Sequence, residues 1–183
     1  MDICTRLEIL MKRFIIDAET DGLYGSLLTI AVLVTDSKGK VLESFYGGLP
    51  THIAVASDPW VVDNVLPFIS EYQAFDSEEA LLETVWSLWV AHREDSICFA
   101  DVPHPIESRI FSKMVTSHPI ERTFQGPFPL IDIASLLMGR GYSPLIDRES
   151  LASNFQGHRH NALDDVHLSN HLLTYLFGED TDV

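Results

Sequence analysis

Two apolar runs near the start narrow the fold more than any other feature. FIID at 14–17 and LLTIAVLVT at 27–35 are separated only by AETDGLYGS. Both runs are too short for ordinary helices and apolar on both faces, so they read as fully buried strands. DSKGK at 36–40 is a turn in which Gly39 is free to take positive φ, and VLESFYGG at 41–48 then alternates apolar and polar residues as a third strand. The three runs predict an antiparallel opening meander.

Downstream, the period changes. PWVVDNVLPFI (59–69) reads as a short helix. A longer helix starts from Asp76 as N-cap, with Glu79 at the capping-box position and Leu81, Leu82, Val85, Trp86, Leu88 and Trp89 as a core stripe. SICFA (96–100) is a fourth strand ending at Asp101, and 105–115 a helix opened by Pro105. Residues 128–131 form a fifth strand, and 133–138, 148–154 and 160–177 form helices. Strands that first pair in sequence and then alternate with helices predict an α/β domain, a mixed sheet flanked by helices, over 1–183. With 46% hydrophobic residues a chain of this length holds one core. Met11 is a second candidate start, which would make residues 1–10 an optional extension.

Two cysteines, Cys4 and Cys98, without metal-ligand spacing suit a reducing, cytoplasmic setting. No apolar run reaches the length of a membrane span. The formal charge of −15 argues against a broad basic groove for nucleic acid. It leaves room for a nuclease in which divalent cations supply positive charge where phosphate sits.

The chemistry-bearing residues lie at the two ends of the chain. Asp17 and Glu19 are two apart on a strand, so both carboxylates project from one face and repel. A shared divalent cation would reconcile them, whereas a solvated turn is the bland alternative; Asp21 reads as a turn acid. In QGHRHNALDDVHL, His160 precedes a helix and Asp165 lies in its first turns. A third carboxylate and a base of near-neutral pKa thus stand together.

Asp17, Glu19 and Thr20 in DAET, with Gly22 following, and His160, Ala162 and Asp165 in HNALDD resemble the first and third motifs of the DEDDh 3′-to-5′ exonuclease superfamily, which includes proofreading exonuclease domains and oligoribonuclease. The resemblance runs in order through the whole chain and implies a ribonuclease-H-like fold. It further implies two divalent ions per active site, Mg²⁺ or Mn²⁺, held by Asp17, Glu19, Asp165 and one second-motif acid, with His160 deprotonating the attacking water. The substrate implied is the 3′ end of single-stranded RNA or DNA, RNA first, with nucleoside 5′-monophosphates released. Thr20, Gly22 and Leu23 would line the substrate, Leu23 as a wedge against the terminal base. A homodimer is compatible with the resemblance.

The second motif departs from the family. The usual His-Asn followed by Phe-Asp is replaced by ADVPHPIESRIF at 100–111. Glu107 keeps the helix register, since Ile106 precedes it and Ile110 and Phe111 follow. Asp101 keeps the shorter carboxylate, and either would complete the set. Tyr24 reads as half-buried, with stacking on a base as the alternative, Trp60 as core or else part of a substrate wall, Asp132 as a helix N-cap, and Arg159 as a solvated loop residue or else a phosphate contact.

Overall fold

The computed structural model describes residues 11–152 and 155–178. Cys4 and the 1–10 extension lie outside the described residues, as does the end of the helix expected at 148–154.

The two apolar runs become the sheet's interior. β1 (Lys12–Thr20) pairs antiparallel with β2 (Leu27–Thr35), which pairs antiparallel with β3 (Val41–Gly48). β1's other neighbour is β5 (Ser96–Ala100), which is parallel to it and carries β6 (Leu130–Asp132) at the edge. A two-residue strand, β4 (Gln73–Ala74), closes the opposite edge, so the order is β4-β3-β2-β1-β5-β6. The mixed α/β architecture agrees with the expectation.

Alternation along β1 divides the core in two. Phe14, Ile16 and Ala18 face α3 (Glu78–His92) and α4 (Ile106–Ser117), packing with Leu81, Trp86, Trp89, Ile110 and Phe111. Ile15, with Ala31 and Leu33 of β2, faces α6 (Ile133–Gly139) and α7 (Ala162–Gly178), packing with Ile133, Leu137, Val166 and Leu172. Both faces of the sheet are covered, which is why β2 reads as an unbroken apolar run and is buried at every position.

Several local expectations change. The single helix expected at 59–69 is divided into α2 (Pro59–Asn64) and a 3₁₀ turn at Leu66–Phe68, because Pro67 has no N–H to continue the ladder. The N-cap of α3 is Ser77, whose Oγ accepts the Ala80 N–H at 3.2 Å. Asp76 is one residue too early, and Glu79 then falls short of the capping-box position. The short helices α1 (Pro50–Ile53) and α5 (Pro119–Arg122) carry no periodic signal and were not anticipated. Within 148–154 the described part contains only a 3₁₀ turn, Glu149–Leu151.

One register detail creates the site. β1 and β5 pair only from Lys12↔Ser96 to Ile15↔Phe99, and β1 then continues alone on that side to Thr20. The strands part at their carboxyl ends, and a crevice at that place is where parallel α/β sheets bind ligands.

Candidate active site

Asp17 and Glu19 share β1's odd-numbered face with Ile15, and so point to the α7 side. The chain meets them there because Asn161 caps α7. Its Oδ1 accepts the N–H groups of Leu163 (3.0 Å) and Asp164 (3.4 Å), while its Nδ2 donates to the Phe68 carbonyl (2.7 Å) and Ser70 Oγ (3.0 Å). An Asn directly before a helical run is a capping signal, and Asn161 was legible as one. The preceding residue, His160, takes φ of 65°, a left-handed conformation uncommon outside glycine. This turn lets its backbone N–H donate to Asp165 Oδ2 at 2.9 Å. Glu19, His160 and Asp165 thereby place one ligand-type atom each within 4.8 Å of one another.

The second-motif acids both sit at the crevice, in different circumstances. Glu107, near the start of α4, is 4% exposed, and its Oε1 accepts the N–H of Ala18 at 3.2 Å, on the stretch of β1 that has lost β5 as a neighbour. Asp101, just past β5, accepts two hydrogen bonds from the Arg148 guanidinium, at 2.7 Å from Nε and 2.9 Å from Nη2. Arg148 is itself 8% exposed and also donates to the Ile146 carbonyl at 2.6 Å. No local sequence signal could have revealed that pairing across 47 residues. Asp101→Asn would leave a buried guanidinium without its counter-charge, and we expect a stability loss of about 2–3 kcal/mol, read as a fall in Tm. A Tm within a degree of the parent would show that the pair is not structural.

The electrostatics follow from this crowding. Asp17 is held well above the ordinary aspartate range by burial first, then by the charges of Asp165, Glu19, Glu107 and Asp101. Burial and Asp165 raise Glu19 to about 8, and burial raises Glu107 to about 8 with Glu19 and Asp101 adding to it. Burial raises Asp165 to about 7 against the opposing pull of the His160 N–H and the Arg159 charge. His160 moves the other way, lowered by burial and by Arg159, so its ring is neutral at neutral pH. Among the described residues none of Asp17, Glu19, Glu107 and Asp165 has a salt-bridge partner. Half-buried carboxylates that repel one another and have no ion-pair partner fit hard divalent ions, which take oxygen ligands.

The remaining named residues surround this centre. Thr20 Oγ1 donates to the Gly22 carbonyl at 2.7 Å, and Gly22 takes φ of 76° where a Cβ would lie 2.9 Å from Asp58 Oδ2. Leu23 and Tyr24 are 62% and 73% exposed, so Tyr24 is not half-buried; both project from the turn that leaves β1. Asp21, in the turn after β1, accepts the N–H groups of Ser57 (3.0 Å) and Asp58 (2.8 Å) and so ties that turn to the start of α2. Asp132 caps α6 as expected and also accepts the Val102 N–H. Arg159 is exposed and 3.8 Å from Asp147. Trp60 is not core: it is 53% exposed, with its ring edge-on to His160 at 4.9 Å. Next to it Phe68 stacks on His158 at 5.2 Å, giving the site an aromatic flank.

No family model and no curated protein matches the chain. Solved structures do. One is of exonuclease I, from work relating its structure to processivity, with a TM-score of 0.62 and 15% identity over 91% of this chain and 40% of that one. Another is an SSB/exonuclease I structure with the inhibitor CFAM, at a TM-score of 0.52 and 13% identity over 92% of this chain and 44% of that one. The chain thus spans about two-fifths of the length of these structures. It has their ribonuclease-H-like fold, and among the described residues no helix is long and apolar enough to cross a membrane.

Proposed function

We propose that the chain is a divalent-metal-dependent 3′-to-5′ exonuclease that hydrolyses single-stranded nucleic acid to nucleoside 5′-monophosphates in the cytoplasm. The observation that carries this reading is the convergence of Asp17, Glu19, Glu107 and Asp165 in one half-buried crevice, with no salt-bridge partner among the described residues, beside His160. On this fold Asp17, Glu19, Asp165 and Glu107 would hold Mg²⁺ or Mn²⁺, two ions being the number the family resemblance suggests. Glu107 is preferred to Asp101 because both Asp101 oxygens are engaged by Arg148. Bound ions would supply Lewis acidity for the entering and leaving oxygens of an in-line phosphoryl displacement.

The chain's own groups supply the rest. His160, uncharged near neutrality and placed beside Asp165, accepts a proton from the attacking water. Asp165 fixes the His160 backbone in its left-handed turn, so the base is oriented before substrate arrives. The exposed Leu23 and the flank of Trp60 and Phe68 offer apolar surface for a terminal base. Ribonucleotide strands are placed ahead of deoxyribonucleotide ones, following the resemblance to exoribonucleases.

Incubation with 5′-end-labelled single-stranded RNA and DNA plus Mn²⁺ or Mg²⁺ tests the reading. Stepwise shortening from the 3′ end, blocked by EDTA, is expected; no shortening by folded, metal-supplied protein refutes it. His160→Ala should lower kcat about a hundredfold, within the usual range for a lost general base, with metal binding by calorimetry retained. Loss of metal binding in that variant would make His160 a ligand and not the base. A binding module without turnover is the second reading, favoured by Asp101 and Val102 standing where the family has His-Asn. Two-ion binding abolished by Asp17→Ala would count against it.

A further inference from the structure

A pocket of about 380 Å³, lined by none of the cluster acids, lies between the turn after β1 and the side of α4, the helix that carries Glu107. Thr20, at the end of β1, forms part of its wall with Tyr24, Gly25, Ser26, Glu78, Arg109 and Lys113. Arg109 and Lys113 are one helical turn apart, two and six residues beyond Glu107, so α4 presents an acid to the crevice and two cations to the pocket. In a chain with 12 basic and 27 acidic residues, paired cations on the helix that carries Glu107 are not a background feature.

The two cations differ in commitment. Arg93, Arg122, Arg148 and Arg159 each face a carboxylate. Arg109 faces none among the described residues. It donates through Nη2 to the Gly25 carbonyl at 3.0 Å and lies 6.0 Å from the Tyr24 ring centroid, which leaves other guanidinium N–H groups for a ligand. Lys113 pairs with Glu78 at 2.7 Å, with the lysine side chain 57% exposed. Two cations and one acid leave the pocket a single net positive charge, which matches one phosphodiester monoanion better than a terminal phosphate dianion. Tyr24, 73% exposed at the rim, offers a face on which a neighbouring base can stack.

We propose that this pocket binds the sugar–phosphate backbone of a single strand, holding on Arg109 and Lys113 a phosphodiester upstream of the one hydrolysed. The assignment rests on the exonuclease reading and extends it from the reacting linkage to substrate length. Glu78 then acts as a competitor for Lys113 and tempers the affinity.

The test compares the parent protein with Arg109→Ala, Arg109→Lys, Lys113→Ala and Glu78→Gln, each first shown to melt like the parent. Binding of a fluorescent single-stranded oligonucleotide is followed by anisotropy over a salt series. Arg109→Ala should weaken binding roughly tenfold, Lys113→Ala by a smaller factor, Arg109→Lys should recover part of the loss, and Glu78→Gln should tighten it. The slope of log affinity against log salt should become shallower by about 0.7 for each cation removed. A dinucleoside monophosphate has only the linkage to be cut, so the ratio of kcat/KM for a trinucleotide over it should collapse about tenfold in Arg109→Ala, through KM. Equal losses on both substrates, or unchanged affinity and salt slope in Lys113→Ala and Glu78→Gln, would overturn the proposal. If the parent binds with this salt dependence but hydrolyses nothing, the exonuclease reading fails while the binding site stands.

Discussion

Asp17→Asn is expected to abolish hydrolysis and at the same time to yield a more stable protein in EDTA. The carboxyl lies at the centre of the acid cluster, where burial and four neighbouring acids oppose its ionisation. The amide keeps the shape and removes the charge. Loss of a metal-holding acid should cost on the order of 10⁴-fold in rate, about 5–6 kcal/mol of barrier. Relieving the repulsion should raise metal-free stability by roughly 1–3 kcal/mol, or a few degrees in Tm for a chain of this size. Such a trade of stability for activity is ordinary where function requires like charges to crowd. The measurements are a 3′-shortening assay and thermal melts with and without Mn²⁺. Hydrolysis within tenfold of the parent, or a lower metal-free Tm, would show that Asp17 is not a repelled site acid.

The second expectation is a metal-free protein that weakens as pH rises from about 5 to 8, the reverse of ordinary acid denaturation. A carboxyl whose folded pKa lies above its unfolded value binds its proton more tightly in the folded state. Its stabilising contribution is complete below the unfolded pKa and is lost as pH climbs through the folded one. Glu19 and Glu107 at about 8 and Asp165 at about 7 place that loss between pH 5 and 8. Asp21, Asp36, Glu83 and Asp95 shift downward through their hydrogen bonds, Glu83 through Arg122, so their effect belongs to more acidic pH. We expect a decline of about 3–5 kcal/mol across the window in EDTA, and Mn²⁺ should remove most of it by binding the ionised acids. Melts at half-unit steps decide the matter; a flat Tm in EDTA from pH 5 to 8 would contradict a buried, cation-free cluster.

Residues that act through local pattern were legible without coordinates. FIID and LLTIAVLVT are strands because continuous apolarity over so few residues requires cover on both faces, and β1 and β2 have it. Asp132 was readable as a cap because capping depends on the next three residues. Ser77 was missed in favour of Asp76 because two adjacent residues have equal capping chemistry, and only the backbone decides which is the last non-helical one. Trp60 was misread as core because an indole in an apolar segment is usually buried, and nothing nearby in sequence announces the turn that brings His160 against it.

The sequence by itself determined the strand pair, the alternation that follows it, and that Asp17 and Glu19 share one face of β1, since these depend on periods of a few residues. Only the tertiary structure distinguishes the surroundings of the two second-motif acids. The difference turns on where β5 stops pairing with β1, which leaves the Ala18 N–H to Glu107, and on Arg148 arriving from a distant loop to engage Asp101. Hydrogen bonds between parts of the chain far apart in sequence have no periodicity, so a linear pattern does not reveal them.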